Sequence, residues 1–427
     1  MIDLKQLRQD PEQTRASLAR RGDPTLPAVL DQVLELDRRH RELLTAVERL
    51  KAERNAAGDE VARRKRAGES ADDLLAALSE SGERVKALDE DVRTVSAELE
   101  SHLLTIPNLP HPDTPNGDAG ANRIVRTWGD VPTFAFDPKP HWELGESLGV
   151  LDLARGAKIA GSGFPVLTGS GARLGRGLVS FMLDLHTREH GYREVAPPFL
   201  VNHATITGTG QLPKFVDEIY RSEADDLYLI PTAEVPVTGL HAGEVLDAAV
   251  LPLAYAACTP CFRREAGAHG KDTRGLIRVH QFDKVELVRF TKPEDSAAEH
   301  ERLTEHAEAV LQRLNLPYRV VELAAGDTGF ASARTYDLEV WAAGVGTWLE
   351  VSSSSTFTDF QARRSNIRYR PAPKAKPEFV HTLNASGVAL PRTIIALLEN
   401  NQAADGSVHI PAALVPYVGT ERLSRSA

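Results

Sequence analysis

The sequence has little of what would mark a disulfide scaffold, a membrane protein or a basic nucleic-acid binder. Only two of its 427 residues are cysteine. That is too few to staple a chain this long, and it points to a reducing compartment, the cytoplasm by default. No apolar run approaches the ~18 residues of a membrane span. The opening "MIDLKQLRQDPEQTRASLARRG" mixes acids with its bases and has no apolar stretch, so it does not read as a signal or transit peptide. Basic charge is not in excess either: the formal net charge is −10. Any contact with nucleic acid must therefore come from a local basic patch. What is present is ordinary for a globular protein, with 42% hydrophobic and 26% charged residues. The length predicts two or three domains.

From about Leu26 the apolar residues fall into a 4,3 rhythm: Val29, Val33, Leu36, Leu43, Val47, Leu50, Ala57 and Val61, broken only by His40 and Arg54. "KRAGES" interrupts, and a second series follows through Leu74, Leu78, Ser81, Val85, Leu88, Val92, Val95 and Leu99. Two heptad helices joined by a short turn read as an antiparallel coiled-coil hairpin over about residues 26–101. At a 1.5 Å rise, helices of about 35–40 residues give an arm of roughly 50–60 Å. A spacer or dimerisation coil has the same pattern. The basic run Arg63, Arg64, Lys65 and Arg66 near the expected tip could meet a phosphate backbone, although a short charge run is commonly a solvated face.

Residues 105–132 are rich in Pro, Gly, Asn and Asp and read as a linker. Beyond it, short apolar runs alternate with helical patterns. Strands are expected at "YREVAPPFLV", "LYLIPTAE", "AYAACTPCFRRE", "IRVHQFDKVELVRF", "YRVVELAAG", "YDLEVWAAG" and "WLEVSSSS". Helices are expected over 173–190, 293–314 and 391–402. Neighbouring strands with interspersed helices predict an antiparallel α+β domain.

"GSGARLGRG" lacks the glycine spacing of a dinucleotide loop and the Lys-Ser/Thr of a P-loop, so it reads as a turn before a helix. "CTPC" has the C-x-x-C spacing of metal and redox sites, but no second cysteine pair completes a zinc site. The charges that follow it are more informative. If residues 261–265 are a strand, Arg263 and Glu265 share one face and Arg264 the other. "AGAHGKDTRGL" then reads as a mobile loop. The returning strand would carry Arg278, His280, Phe282, Lys284 and Glu286 on one face. Guanidinium groups for phosphate, a ring for stacking and carboxylates for amines suit a nucleoside triphosphate. Thr232 and Glu234 alternate at the end of another expected strand. Glu350 with Ser352 and Ser353 offers hard oxygens of the kind magnesium accepts. Ser386 precedes a helix whose first turn carries Arg392.

Taken together, and in order along the whole chain, these segments resemble the seryl-tRNA synthetases of bacterial type. The heptad hairpin resembles that family's tRNA-binding arm. "FMLDLHTREHGYREVAPPFLVN" resembles motif 1 of class II synthetases, a dimer-interface helix and strand, with Pro198 at the motif proline. "FRREAGAHGKDTRGLIRVHQFDKVE" resembles motif 2, "NASGVALPRTIIALLEN" motif 3, and "TAE" at Thr232, Ala233 and Glu234 the serine-binding triplet. The resemblance implies a class II antiparallel sheet flanked by helices, with a tRNA-binding domain over 1–104, a linker over 105–132 and a catalytic domain over 133–427. It implies a homodimer in which the arm serves the partner's active site. Serine, ATP and Mg²⁺ would be bound, serine tRNA charged, with selenocysteine tRNA as a second acceptor, and no structural zinc held.

The resemblance also implies residue roles. Arg263 would hold the α-phosphate and the serine carboxylate, and Arg392 the γ-phosphate. Arg264, Glu265, Val279, Phe282, Val351 and Ser352 would complete the ATP site. Glu350 and Ser353 would hold magnesium. Thr232, Ala233, Glu234, Glu286 and Ser386 would line the serine pocket, and Arg63, Arg64, Lys65 and Arg66 would touch tRNA. Four positions depart from the family's usual residues: Arg264 for serine, Ser354 for cysteine, Thr356 for asparagine and Ala385 for glycine. They leave open a specialised duplicate serving antibiotic biosynthesis or inhibitor resistance.

Overall fold

The computed structural model describes residues 1–266 and 274–425. Most of the loop expected after Glu265 lies outside the described residues. The chain divides into two compact units, Asp3–Ala19 with Asp23–Pro107, and the remainder.

The first unit is built on two long helices, α1 (Leu26–Ala67) and α2 (Asp72–Thr105). Ion pairs Arg64–Asp73 and Lys51–Asp89 join them in antiparallel register. The heptad seam is where the burial lies. Val33, Leu36, Val47, Leu50 and Val61 of α1 and Val85, Val95 and Leu99 of α2 are buried, while Arg54 stays exposed. Gly68 ends α1 in the left-handed region at φ 75°, where its N–H bonds the Arg64 and Lys65 carbonyls. Asp72 and Asp73 open α2, where carboxylates complement the helix dipole. At this tip Arg63 and Arg64 pair with Glu60, and Arg64 also with Asp73; Lys65 and Arg66 are exposed.

The second unit carries an eight-stranded sheet. Its strands are β1 (Arg123–Trp128), β2 (Arg193–Glu194), β3 (Leu253–Phe262), β4 (Gln281–Thr291), β5 (Tyr318–Glu322), β6 (Arg334–Ala342), β7 (Thr347–Thr358) and β8 (His381–Ala389). The order across the sheet is β1-β5-β6-β7-β8-β4-β3-β2, antiparallel except for β2 on β3. Helices α3 (Ser170–Arg188), α4 (Glu234–Gly239), α5 (Ser296–Arg313), α6 (Phe360–Ser365) and α7 (Leu390–Asn400) surround it. Leu178 and Met182 of α3, Val310 and Leu311 of α5 and Ile395 and Leu398 of α7 join strand residues in the main core. The apolar stripe of each helix explains why it folds onto the sheet.

Several local expectations are corrected. The expected linker contains the edge strand β1, paired with β5. "YREVAPPFLV" breaks at its prolines into Arg193–Glu194 and Leu200–Asn202, as proline cannot donate to a ladder. "LYLIPTAE" is a strand only over Leu227–Leu229, and Glu234 starts a helix instead of ending a strand. β3 stops at Phe262, and Glu265 turns through φ +50°. β4 starts at Gln281, so Arg278 and His280 lie before the strand. β8, a central strand, has a small, polar sequence that gave no strand signal.

Candidate active site

One cavity of about 450 Å³ opens on the sheet face opposite α5. On the α5 side, Thr304 and Ser296 share hydrogen bonds with the Ser354 and Thr356 hydroxyls, at 2.9 and 3.3 Å. On the cavity side β7 shows Glu350, Ser353, Ser355 and Phe357. Strict alternation would pair Glu350 with Ser352. The register against β6 shifts instead, with Glu350 opposite Glu339 but Ser352 opposite Leu338, so Val351 is an extra residue. That bulge turns Ser353 into the cavity. Ser352 is buried and its side chain does not line the cavity, its hydroxyl donating to the Ser386 carbonyl at 2.6 Å. Val351 lines the cavity at the bulge.

β4 supplies Phe282, Lys284 and Glu286. The first two line the cavity, and Glu286 lies fully buried beneath it. Lys284 pairs with Glu286, and its Nζ donates to Thr232 Oγ1 at 2.9 Å. Thr232 in turn donates to Glu286 at 3.2 Å, and Asn384 Nδ2 donates to the other Glu286 oxygen at 2.6 Å. Glu286 thus has one cation and two further donors. A buried carboxylate needs such partners, because desolvation otherwise costs several kcal/mol.

Glu234 differs. It begins α4, buried, and receives one neutral donor, Gln361 Nε2, at 2.6 Å. Burial first, and the Glu286 charge next, push its carboxyl up to about 7, against the pull of Gln361, Lys284 and Arg263. Ala233 is wholly buried and does not line the cavity, so only its neighbours present side chains there. Ser386 lines the cavity directly opposite Glu286 in the sheet register.

Toward the other end, the Arg263 guanidinium lies 5.3 Å over the Phe282 ring, and its Nε donates to the Pro231 carbonyl at 3.3 Å. Val279, Arg278 and Glu265 line the cavity, with Arg278 donating to Glu265 at 2.6 Å. Arg264 is exposed and does not line the cavity. His280, expected on the same face as Phe282, stacks on Phe164. Arg392 Nη1 donates to the Glu350 carbonyl at 2.7 Å and lies 3.4 Å from its carboxylate.

Glu350 and Ser353 present hard oxygens on one wall. Behind them Asp337 faces Ser353 across the strands, with a buried Oδ1 that has no hydrogen-bond partner among the described residues. Burial and the neighbouring Glu350 raise its carboxyl. An oxygen set with acid in excess of its donors fits magnesium, which binds through one or two carboxylates, waters and phosphates. Cys258 and Cys261 sit three residues apart on β3 and so face opposite sides. Burial pushes the Cys258 thiol up to about 12 and raises that of Cys261, which disfavours the reactive thiolate at both. Among the described residues no group of three His, Cys, Asp or Glu could hold a metal.

Sequence reasoning missed Lys284 as a partner, Asn384, Gln361 and Asp337. A lysine alternating with apolar residues in "DKVELV" was the one readable signal. The family departures at Ser354, Thr356, Ala385 and Arg264 all lie off the cavity lining.

Two family profiles match. The seryl-tRNA synthetase N-terminal domain covers residues 1–110, and the class II core domain of the G, H, P, S and T synthetases covers 216–401. The chain is similar to the serine–tRNA ligase of Geobacter sulfurreducens, 55% identical over 98% of this chain and 99% of that one. Its fold matches the seryl-tRNA synthetase of Pyrococcus horikoshii complexed with ATP, with TM-score 0.94, 40% identity and full coverage of both chains. It also matches the cytoplasmic Naegleria fowleri enzyme in complex with AMP, with TM-score 0.86, 30% identity and coverage of 98% and 97%.

Proposed function

The chain belongs to the seryl-tRNA synthetase family, and from that premise we propose how this cavity performs the family's reaction. Its activity is the ATP-dependent ligation of serine to tRNA. The observation that carries the site assignment is the joining, in one cavity, of a buried acid pocket to an arginine and aromatic wall.

Serine brings an ammonium, a carboxylate and a hydroxyl. Glu286 already has a fixed cation; Glu234 has none among the described residues, so it takes the ammonium. The hydroxyl goes to Glu286 and Ser386. Arg263, held between Pro231 and Phe282, then meets both the serine carboxylate and the α-phosphate. The purine rests against Phe282 and Val279, with Glu265 at its exocyclic amine. Arg392 reaches the γ-phosphate. Glu350 and Ser353 would hold Mg²⁺, which supplies positive charge against the phosphates.

The serine carboxylate attacks the α-phosphorus, forming the acyl–phosphate bond as the bond to pyrophosphate breaks. No protein base is required, because the nucleophile is already ionised. The arginines offset charge on the transferring group and fix the in-line geometry. A ribose hydroxyl at the tRNA 3′ end then attacks the acyl carbon, and AMP leaves. Alanine would leave the hydroxyl's partners unpaired, a penalty that reaches about 10⁴–10⁵ in sites built for a hydroxyl. Threonine is excluded by size.

The arm is proposed to grip serine tRNA, with Arg63, Arg64, Lys65 and Arg66 at its tip, and to serve the partner subunit of a homodimer in the cytoplasm. Selenocysteine tRNA is the second acceptor proposed. The test is ATP–pyrophosphate exchange. It should depend on serine and vanish in Arg263→Ala; exchange without serine dependence refutes the assignment. Deleting residues 26–99 should spare exchange and abolish aminoacylation, whereas loss of both would mean an arm needed for folding.

A further inference from the structure

Gln361 is wholly buried in α6 and belongs to no assigned site. Its amide has one acceptor end and one end with two donors. Thr382 Oγ1 donates to Gln361 Oε1 at 2.7 Å, which fixes the oxygen end. The nitrogen end then donates to the Thr209 carbonyl at 3.2 Å and to Glu234 Oε1 at 2.6 Å. Flipping the amide would set its oxygen against a carbonyl and a carboxylate, so one orientation is held. Thr382 is itself wholly buried.

We propose that Gln361 is a positioning residue for the amino group of the substrate: it aims the Glu234 carboxylate into the cavity while leaving its charge unmatched. The proposal rests on the reading of Glu234 as the ammonium acceptor. The comparison with Glu286 shows why a neutral donor matters. Lys284 satisfies the Glu286 charge permanently, so that carboxylate can only accept hydrogen bonds. A cation at position 361 would do the same to Glu234 and compete with the substrate. An amide holds one oxygen in place, and the second remains for the ammonium. The bond also favours the ionised carboxylate, the form that binds a cation.

Gln361→Met removes the donor at similar length. In serine-dependent ATP–pyrophosphate exchange its serine KM should rise about 10- to 100-fold, the range for a lost hydrogen bond to a charged group, with the ATP KM unchanged within about twofold. The acid limb of kcat/KM for serine should also move to higher pH. The charged groups facing Glu234 are Glu286 and Lys284 from β4 and Arg263 after β3, and the variant leaves all three in place. Thr382→Val frees the amide orientation without removing it and should raise the same KM less; it carries the test if Gln361→Met does not fold. An unchanged serine KM, or serine and ATP KM rising together, overturns the proposal. Glu234→Gln separates the two readings. If it binds serine as the parent does, the ammonium assignment fails; if it loses serine while Gln361→Met does not, only the role of Gln361 fails.

Discussion

Replacing Glu234 by glutamine should make the free protein more stable and the enzyme nearly inactive. Glu234 is 7% exposed, and among the described residues it forms no ion pair. Its carboxyl is raised from 4.5 to about 7, chiefly by burial and then by Glu286. The folded chain therefore holds this proton more tightly than the unfolded chain does. The cost of ionising it is absent below about pH 4.5, grows up to about 7 and is complete above that. At 1.36 kcal/mol for each pKa unit, the full cost is roughly 3 kcal/mol. Glutamine keeps an oxygen for Gln361 and never ionises, so it escapes the cost.

The assay is urea unfolding of parent and variant at pH 5 and pH 8.5, without substrates. All four tryptophans, Trp128, Trp142, Trp341 and Trp348, lie in the unit that holds the sheet, so their fluorescence reports that unit. At pH 5 the variant should lead by only about 1 kcal/mol. At pH 8.5 the variant should lead by roughly 3 kcal/mol. Serine-dependent exchange should fall by about 100-fold or more, since the ammonium loses its charged partner. A variant less stable at pH 8.5, or a stability difference independent of pH, refutes the reasoning.

Lys284→Met tests the other carboxylate. It strands Glu286, which is wholly buried, and should cost about 3–5 kcal/mol in urea unfolding at pH 7.5. A loss below about 1 kcal/mol would show that Asn384 and Thr232 suffice. Replacing Cys258 and Cys261 together by alanine should leave exchange activity within about twofold, as neither thiol meets the cavity. Neither thiol of the parent should react with a disulfide reagent at pH 8 until the chain is unfolded in urea.

The parts of the fold that were legible in the sequence are those set by local period. The seam residues Val33, Leu36, Val47, Leu50 and Val61 repeat often enough that turn chemistry could not disguise them. On β4 the alternation of Phe282, Lys284 and Glu286 holds because all three pair in unbroken register with β3, and Lys284 and Glu286 pair with β8 as well. The same rule reached Arg263, Arg264 and Glu265 by a wrong route. Arg263 and Glu265 do line the cavity and Arg264 is exposed, yet no strand continues past Phe262. A turn with positive φ at Glu265 did what alternation was expected to do. Ser352 and Ser353 were separable only by a bulge, and a bulge depends on the register of the neighbouring strand. β8 escaped notice because a strand buried between two others can be built from Thr, Asn, Ala, Ser and Gly.

The residues that tune the acid pocket were illegible for a related reason. Gln361 acts on Glu234 from 127 positions away, and Asn384 on Glu286 from 98. Neither has a local pattern, since amides carry no period. Their effect is nevertheless what separates the two carboxylates. Glu234 and Glu286 together place two negative charges in a buried space, against the nearby charges of Lys284 and Arg263. Lys284 is committed to Glu286, and Arg263 lies over Phe282. The serine end is therefore short of one positive charge. On the proposed assignment the α-amino group would supply it, and only when Glu234 gives up its proton. Serine binding below about pH 7 should accordingly release a proton, and on this assignment selectivity for an amino acid over a hydroxy acid would follow from the pocket's charge balance.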